Sequence, residues 1–180
     1  MNKRNLFFVI LGIMFLSITA YSSTIPEDFL GTYKFSGSKI EKNEFNKSVD
    51  QLISNIPFLM RAFVASKIKK GFRIPQKIVF SSKKTGQISI ESDMKSIVSS
   101  DLSKTPVKFK NPRGKESELI RELVGSKIYE KVTGKTRKHG TRINSYKLSK
   151  DGKKLEYTVK LKGKMLKNPL SYKLSFIKIY

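Results

Sequence analysis

Residues 77–92 read Lys-Ile-Val-Phe-Ser-Ser-Lys-Lys-Thr-Gly-Gln-Ile-Ser-Ile-Glu-Ser. Ile78 and Phe80 recur every second residue in the first half, and Ile88 and Ile90 do so in the second. Side chains alternate between the two faces of a strand, so this spacing predicts two half-buried strands, Lys77–Ser82 and Gln87–Ser92. Thr85 and Gly86 between them have the composition of a tight hairpin turn. The period of two begins after Pro75 and does not revert to a helical period further on.

Downstream, the same pattern predicts strands at Lys95–Ser99, Val107–Lys110, Glu118–Leu123, Ser126–Val132, Arg142–Leu148, Lys154–Lys162 and Ser171–Ile179. Gly125, Gly134, Gly140, Asp151-Gly152, Gly163 and Asn168-Pro169 mark the turns. Upstream, Tyr33 and Phe35 alternate with Thr32 and Lys34, which adds a first strand and brings the number to ten. Lys39 to Asn43 read as a polar loop. Ser48 with Gln51 has the form of a capping box opening a helix at about 47–54, with Val49, Leu52, Ile53 and Ile56 on one face. Asn55 and Pro57 then open a second helix at about 56–70, whose apolar side holds Leu59, Met60, Phe63, Val64 and Ile68, and Gly71 stops it. One helical pair after strand one, followed only by hairpins, predicts a mainly β fold. It is a ten-stranded antiparallel up-and-down barrel with a helix-turn-helix lid between strands 1 and 2.

The first residues set the expected compartment. Met1 to Arg4 form a short positive head, Leu6 to Ala20 carry no charge, and Ala20-Tyr21-Ser22 offers small residues for cleavage. This is the pattern of a secretory signal peptide, so residues 1–22 are set apart and 23–180 are expected to form one domain in a secreted or periplasmic protein. The 180 residues contain no cysteine, which rules out disulfides as the basis of the fold. The chain has 37 Lys and Arg against 14 Asp and Glu, a net charge of +23. Such a field draws anionic membranes and polyanions.

The stretch Ile25-Pro26-Glu27-Asp28-Phe29-Leu30-Gly31-Thr32-Tyr33-Lys34 resembles the opening strand of the fatty-acid-binding-protein family within the calycin barrels, secreted members especially. The likeness continues through the helix-turn-helix with Asp50, Leu52 and Arg61. It continues through Ile74-Pro75-Gln76-Lys77-Ile78 at the entry to the second strand, and through Ser145 to Leu155 with the Asp151-Gly152 turn. The resemblance implies a barrel holding a fatty acid or similar amphiphile, reached through a portal under the two helices. In that family a carboxylate is held by an arginine on strand eight and an Arg-x-Tyr pair on the last strand. Here Tyr146 stands at the first position, and the last strand reads Tyr172-Lys173-Leu174-Ser175-Phe176 without arginine. Arg142, two positions further back with the right parity, is the candidate replacement, since its fork meets a carboxylate with two hydrogen bonds. Lys173 would serve only in a register shifted by one residue. Tyr146, Tyr157 and Tyr172 are candidate head-group donors, although tyrosine also favours strands for packing reasons alone.

On the second helix Arg61, Lys67, Lys69 and Lys70 form a candidate contact with anionic membrane, each basic residue contributing about 1 kcal/mol near such a surface. An amphipathic lid with a solvated outer face explains them equally well. No catalytic residues and no metal or other cofactor are expected. His139 is the single histidine, beside a turn, and neither a Gly-x-Ser-x-Gly elbow nor metal-ligand spacing occurs. Glu116 and Glu118 sit among lysines and read as surface charge. Nucleic acid is not an expected partner, and the protein is expected to be a monomer. Asn46-Lys47-Ser48 matches a glycosylation sequon and, equally, helix-start chemistry. Two readings remain open: a carrier with its ligand inside the barrel, and a basic barrel that binds anionic membrane, glycolipid or an acidic partner through its surface.

Overall fold

The computed structural model describes residues 26–93, 97–111, 114–134, 140–163 and 169–179. The leader expected at 1–22, together with His139 and Asn168, lies outside them. Ten strands are present: β1 Gly31–Phe35, β2 Lys77–Lys84, β3 Gln87–Ser92, β4 Ser99–Ser100, β5 Val107–Lys110, β6 Glu116–Val124, β7 Lys127–Gly134, β8 Thr141–Leu148, β9 Lys154–Lys162 and β10 Leu170–Ile179. Helices α1 Lys39–Ser54 and α2 Phe58–Gly71 stand between β1 and β2. A turn of 3-10 helix, Glu27–Phe29, precedes β1.

The strands form one antiparallel sheet in the order β4-β3-β2-β1-β10-β9-β8-β7-β6-β5. The pairing of β1 with β10 joins the first strand to the last, with Thr32 opposite Ile179 and Phe35 opposite Phe176. The two edges are β4 and β5, neighbours in sequence that do not pair, so the barrel is nearly closed with one seam between them. The connection from β4 to β5 is tied to β6: Ser103 bridges to Glu122, and the Lys104 amide donates to the Arg121 carbonyl at 2.9 Å.

Gly31, in the opening strand, has a φ of +133°, a region side-chain-bearing residues avoid. This accounts for the glycine at that position on backbone grounds. Asp151-Gly152 makes the β8–β9 turn, with Gly152 at φ +68°. The strands bury alternate residues as the period of two predicts: Leu155, Tyr157 and Val159 on β9, and Leu170, Tyr172, Leu174 and Phe176 on β10. Aromatic rings cross the interior. Tyr33 meets Phe80 at 5.6 Å between centroids, Phe80 meets Tyr146 at 5.2 Å, and Tyr157 meets Phe176 at 6.2 Å. Such edge-on contacts add about 0.5–1.5 kcal/mol each beyond area burial.

The helices differ from the sequence expectation. Lys39 to Asn43, expected as a loop, are the first turns of α1. Ser38 is the true cap, accepting a hydrogen bond from the Glu41 amide at 3.2 Å. The apolar stripe Phe45, Val49, Ile53 recurs every four residues and is buried. Ser48 is mid-helix, and its hydroxyl donates to the Ser171 carbonyl at 3.1 Å. Asn55 ends α1, and α2 begins after Pro57. Of the strand expected at Lys95–Ser99, Lys95 and Ser96 lie outside the described residues, and Ser99–Ser100 form β4.

Candidate functional site

Cross-strand register puts a polar row on the inner wall. Arg121 on β6 lies opposite Glu130 on β7, Glu130 opposite Asn144 on β8, and Asn144 opposite Val159 on β9, which faces Tyr172 on β10. Period-two alternation then carries Arg142 and Tyr146 to the same face as Asn144. Tyr146 is opposite Tyr157, with stacked rings 5.0 Å apart.

The hydrogen bonds make this row continuous. Arg142 Nε donates to Asn144 Oδ1 at 2.9 Å, and Arg142 Nη2 donates to the Tyr157 hydroxyl at 2.7 Å. The Tyr157 hydroxyl donates in turn to Asn144 Oδ1 at 3.2 Å. Asn144 Nδ2 donates to Glu130 Oε1 at 2.6 Å. The other Glu130 oxygen, Oε2, takes Arg121 Nε at 2.9 Å and lies 2.8 Å from Arg121 Nη2. Arg121 Nη1 reaches across the seam to the carbonyls of Ile88 at 2.9 Å and Val98 at 2.7 Å, and to Ser100 Oγ at 3.1 Å.

Arg121, Glu130 and Asn144 are fully buried, whereas Arg142 is partly exposed. Its neighbour Tyr157 and, less strongly, Tyr172 and Tyr146 raise the Arg142 pKa above its ordinary value against the effect of burial, so it is a permanent cation. Burial raises the pKa of Tyr146, Tyr157 and Tyr172, and pushes Tyr33 up to about 12. All four are therefore neutral hydroxyls at physiological pH. Among the described residues Arg121 pairs with Glu130, which leaves Arg142 as a surplus positive charge on the inner wall. Among the described residues its Nη1 has no hydrogen-bond acceptor. The arrangement suits a single anionic group, received by a guanidinium edge and neutral phenols.

At the rim, a cleft of about 370 Å³ is lined by Phe45, Asn46, Phe72, Arg73, Ile74, Gln76 and Asp93. Phe45 also packs edge-on against Tyr172, 4.9 Å between centroids, so one side chain borders both the cleft and the inner wall.

Of the residues singled out from sequence, Arg142, Tyr146, Tyr157 and Tyr172 come together. Lys173 does not join them. It lies opposite Thr158, exposed, and pairs with Glu156 at 2.7 Å on the outer face. Arg61 is turned to a structural task, its Nη2 donating to the carbonyls of Ser54 at 3.0 Å and Ile56 at 3.3 Å and so tying the turn between the helices. Lys69 pairs with Asp50 of α1 at 3.3 Å, and Lys67 lies over the Phe63 ring at 4.3 Å. Lys70 is exposed in the last turn.

Sequence reasoning missed Arg121, Glu130 and Asn144. A signal was available, because Arg121 lies four residues before Gly125 and Glu130 four after Ser126, so a two-residue turn there sets them face to face. Both also share parity with buried neighbours, Leu119 and Ile128.

The chain matches no protein-family model and no curated protein sequence. Its fold matches solved structures. Fatty-acid-binding protein 1 of Echinococcus granulosus superposes with a TM-score of 0.54 at 18% identity, covering 86% of this chain and 100% of that one. The Schistosoma mansoni fatty acid binding protein in complex with arachidonic acid gives 0.53 at 15% identity, covering 85% and 97%. Secretory abundant heat soluble protein 4 of Ramazzottius varieornatus gives 0.56 at 17% identity, covering 86% and 97%. The chain therefore has the fold of the fatty-acid-binding barrels.

Proposed function

We propose that this protein is an exported carrier that holds a fatty acid or similar amphiphile inside the barrel, with the head group at Arg142. The observation that carries the reading is the surplus charge of Arg142 on the inner wall, beside the neutral hydroxyls of Tyr157 and Tyr172. The rim cleft bordered by Phe45 supplies a route toward Tyr172. Solved neighbours that include a complex with arachidonic acid support the class of ligand, and the signal-like leader supports export.

Two measurements test it. Native mass spectrometry of the purified protein is expected to reveal co-purified lipid. Titration with a fluorescent fatty acid is expected to show binding that Arg142→Ala weakens about tenfold to a hundredfold, the value of a charge-assisted hydrogen bond in a buried site. Unchanged affinity in the variant removes Arg142 from the site. Absence of both lipid and binding ends the carrier reading.

A second reading, docking on anionic membrane through the outer surface, is favoured by α2. Phe58, Leu59, Met60 and Phe63 are all exposed there, beside Lys67 and Lys70. Apolar side chains among cations match the chemistry of a bilayer interface. The two readings are compatible, with α2 serving as the contact through which a carrier would exchange its load. Vesicle binding that survives Arg142→Ala would separate this surface from the interior site.

A further inference from the structure

We infer that Arg121 is a specificity-determining residue of the interior site. By holding Glu130, it leaves the charge of Arg142 uncompensated and available to a carboxylate ligand. The inference rests on the carrier reading and names the residue that would give that site its preference for an acid head group.

Among the described residues, the inner wall holds Arg121, Glu130 and Arg142 in a single hydrogen-bonded chain through Asn144. Glu130 is buried completely and must have a charged partner, because an unpaired buried carboxylate is strongly disfavoured. Among the described residues, two cations lie within reach. Arg121 is directly opposite Glu130 across β6 and β7. Arg142 lies on the other side, two residues from Asn144, which is opposite Glu130 across β7 and β8. Diagonal neighbours of this kind are roughly 7–8 Å apart at the backbone, within reach of long side chains. A single amide, that of Asn144, stands between them, 2.6 Å from Glu130 and 2.9 Å from Arg142.

Arg121 is held in place from the far side of the seam. Three acceptors from β3, β4 and the segment before β4 fix its Nη1, while Nε and Nη2 face Glu130 Oε2. Glu130 is thereby committed to the seam side of the barrel. With an apolar residue at 121, the nearest compensation for Glu130 becomes Arg142, and a ligand carboxylate would then meet an already neutral pair. The seam bonds and the ligand preference thus depend on the same guanidinium, but through different atoms.

The test compares dodecanoic acid with dodecanol, each displacing the neutral probe diphenylhexatriene at neutral pH. The wild type is expected to prefer the acid. Arg121→Met is expected to lose about tenfold or more of that preference, the magnitude of one charge-assisted contact. Glu130→Gln is expected to keep it, because nothing then competes for Arg142. The double variant Arg121→Met/Glu130→Gln is expected to regain it, although it still lacks the three seam bonds. That recovery distinguishes charge from mere structural support.

If Arg121→Met retains the acid preference, or if either protein carrying Glu130→Gln loses it, the inference is overturned while the carrier reading stands. Should Arg121→Met fail to fold, the two proteins carrying Glu130→Gln decide the matter by the same criterion. A wild type that binds both ligands equally overturns the inference and leaves a carrier of neutral lipid. A wild type that binds neither overturns the carrier reading with it.

Discussion

The two helices of the cap have similar lengths, 16 and 14 residues, and only Asn55, Ile56 and Pro57 separate them, yet they relate to the barrel in opposite ways. Helix α1 buries Phe45, Val49 and Ile53, and its Glu41 carboxylate accepts from the Ser175 amide at 3.0 Å and the Ser175 hydroxyl at 2.6 Å. Helix α2 buries no residue and leaves Leu59 92% exposed and Phe58 80% exposed. Apolar content does not explain this, since α2 is the more apolar of the two. Arrangement does. In α1 a few apolar residues form one stripe, which a curved wall can cover. In α2 Phe58 to Met60 and Ala62 to Ala65 run around the helix, so no single surface covers them all. Ala65 and Ile68 pack on the core, whereas Phe58, Leu59, Met60 and Phe63 are exposed.

That contrast can be broken most decisively at Phe45. Phe45→Ala is expected to cost about 3–5 kcal/mol in urea unfolding, as for other buried aromatics. A loss below about 1 kcal/mol would mean that α1 is no better anchored than α2. Next in size is Glu41→Ala, which removes both bonds to Ser175 and is expected to cost about 1–3 kcal/mol, part of it from the Ser175 amide left without an acceptor. Recovery of that stability by Glu41→Gln, which keeps an acceptor, would assign the effect to hydrogen bonding.

On α2 the comparison is sharpened at the membrane. Lys67→Glu with Lys70→Glu is expected to weaken binding to phosphatidylglycerol vesicles by roughly 1 kcal/mol per lysine removed, and the difference should shrink as salt rises. Equal binding at low salt would count against docking through this helix. The smallest effect is expected on stability. Leu59→Ser should change it by no more than about 0.5 kcal/mol, as an exposed position dictates. A large loss there would show that α2 is covered in solution.

The same distinction between pattern and arrangement explains what could be read in advance. The strands were legible because alternation along a strand is local, and eight of the nine for which limits were expected fall within two residues of them at both ends. The start of α1 was misplaced because Ser48 and Gln51 imitate a cap, whereas Ser38 and Glu41 make the real one. Burial of Phe45 and the bonds from Glu41 to β10 favour that longer helix, and both are contacts distant in sequence. Arg142 was placed by the family resemblance together with parity along β8, and the three tyrosines were named as head-group donors for their chemistry. Lys173 was excluded by the same parity once the register of β10 was known. The Arg121–Glu130 pair escaped notice because a charge on a strand reads as outward unless the opposite strand supplies its partner.

The sequence alone determined the number and order of the strands, the helical pair after the first, and the face on which Arg142 lies, because each depends on spacing within a few residues. Only the tertiary structure decided where the sheet fails to close, which helix is anchored, and which cation takes Glu130. Those outcomes depend on groups far apart in the chain being brought within hydrogen-bond range. No local period records that geometry.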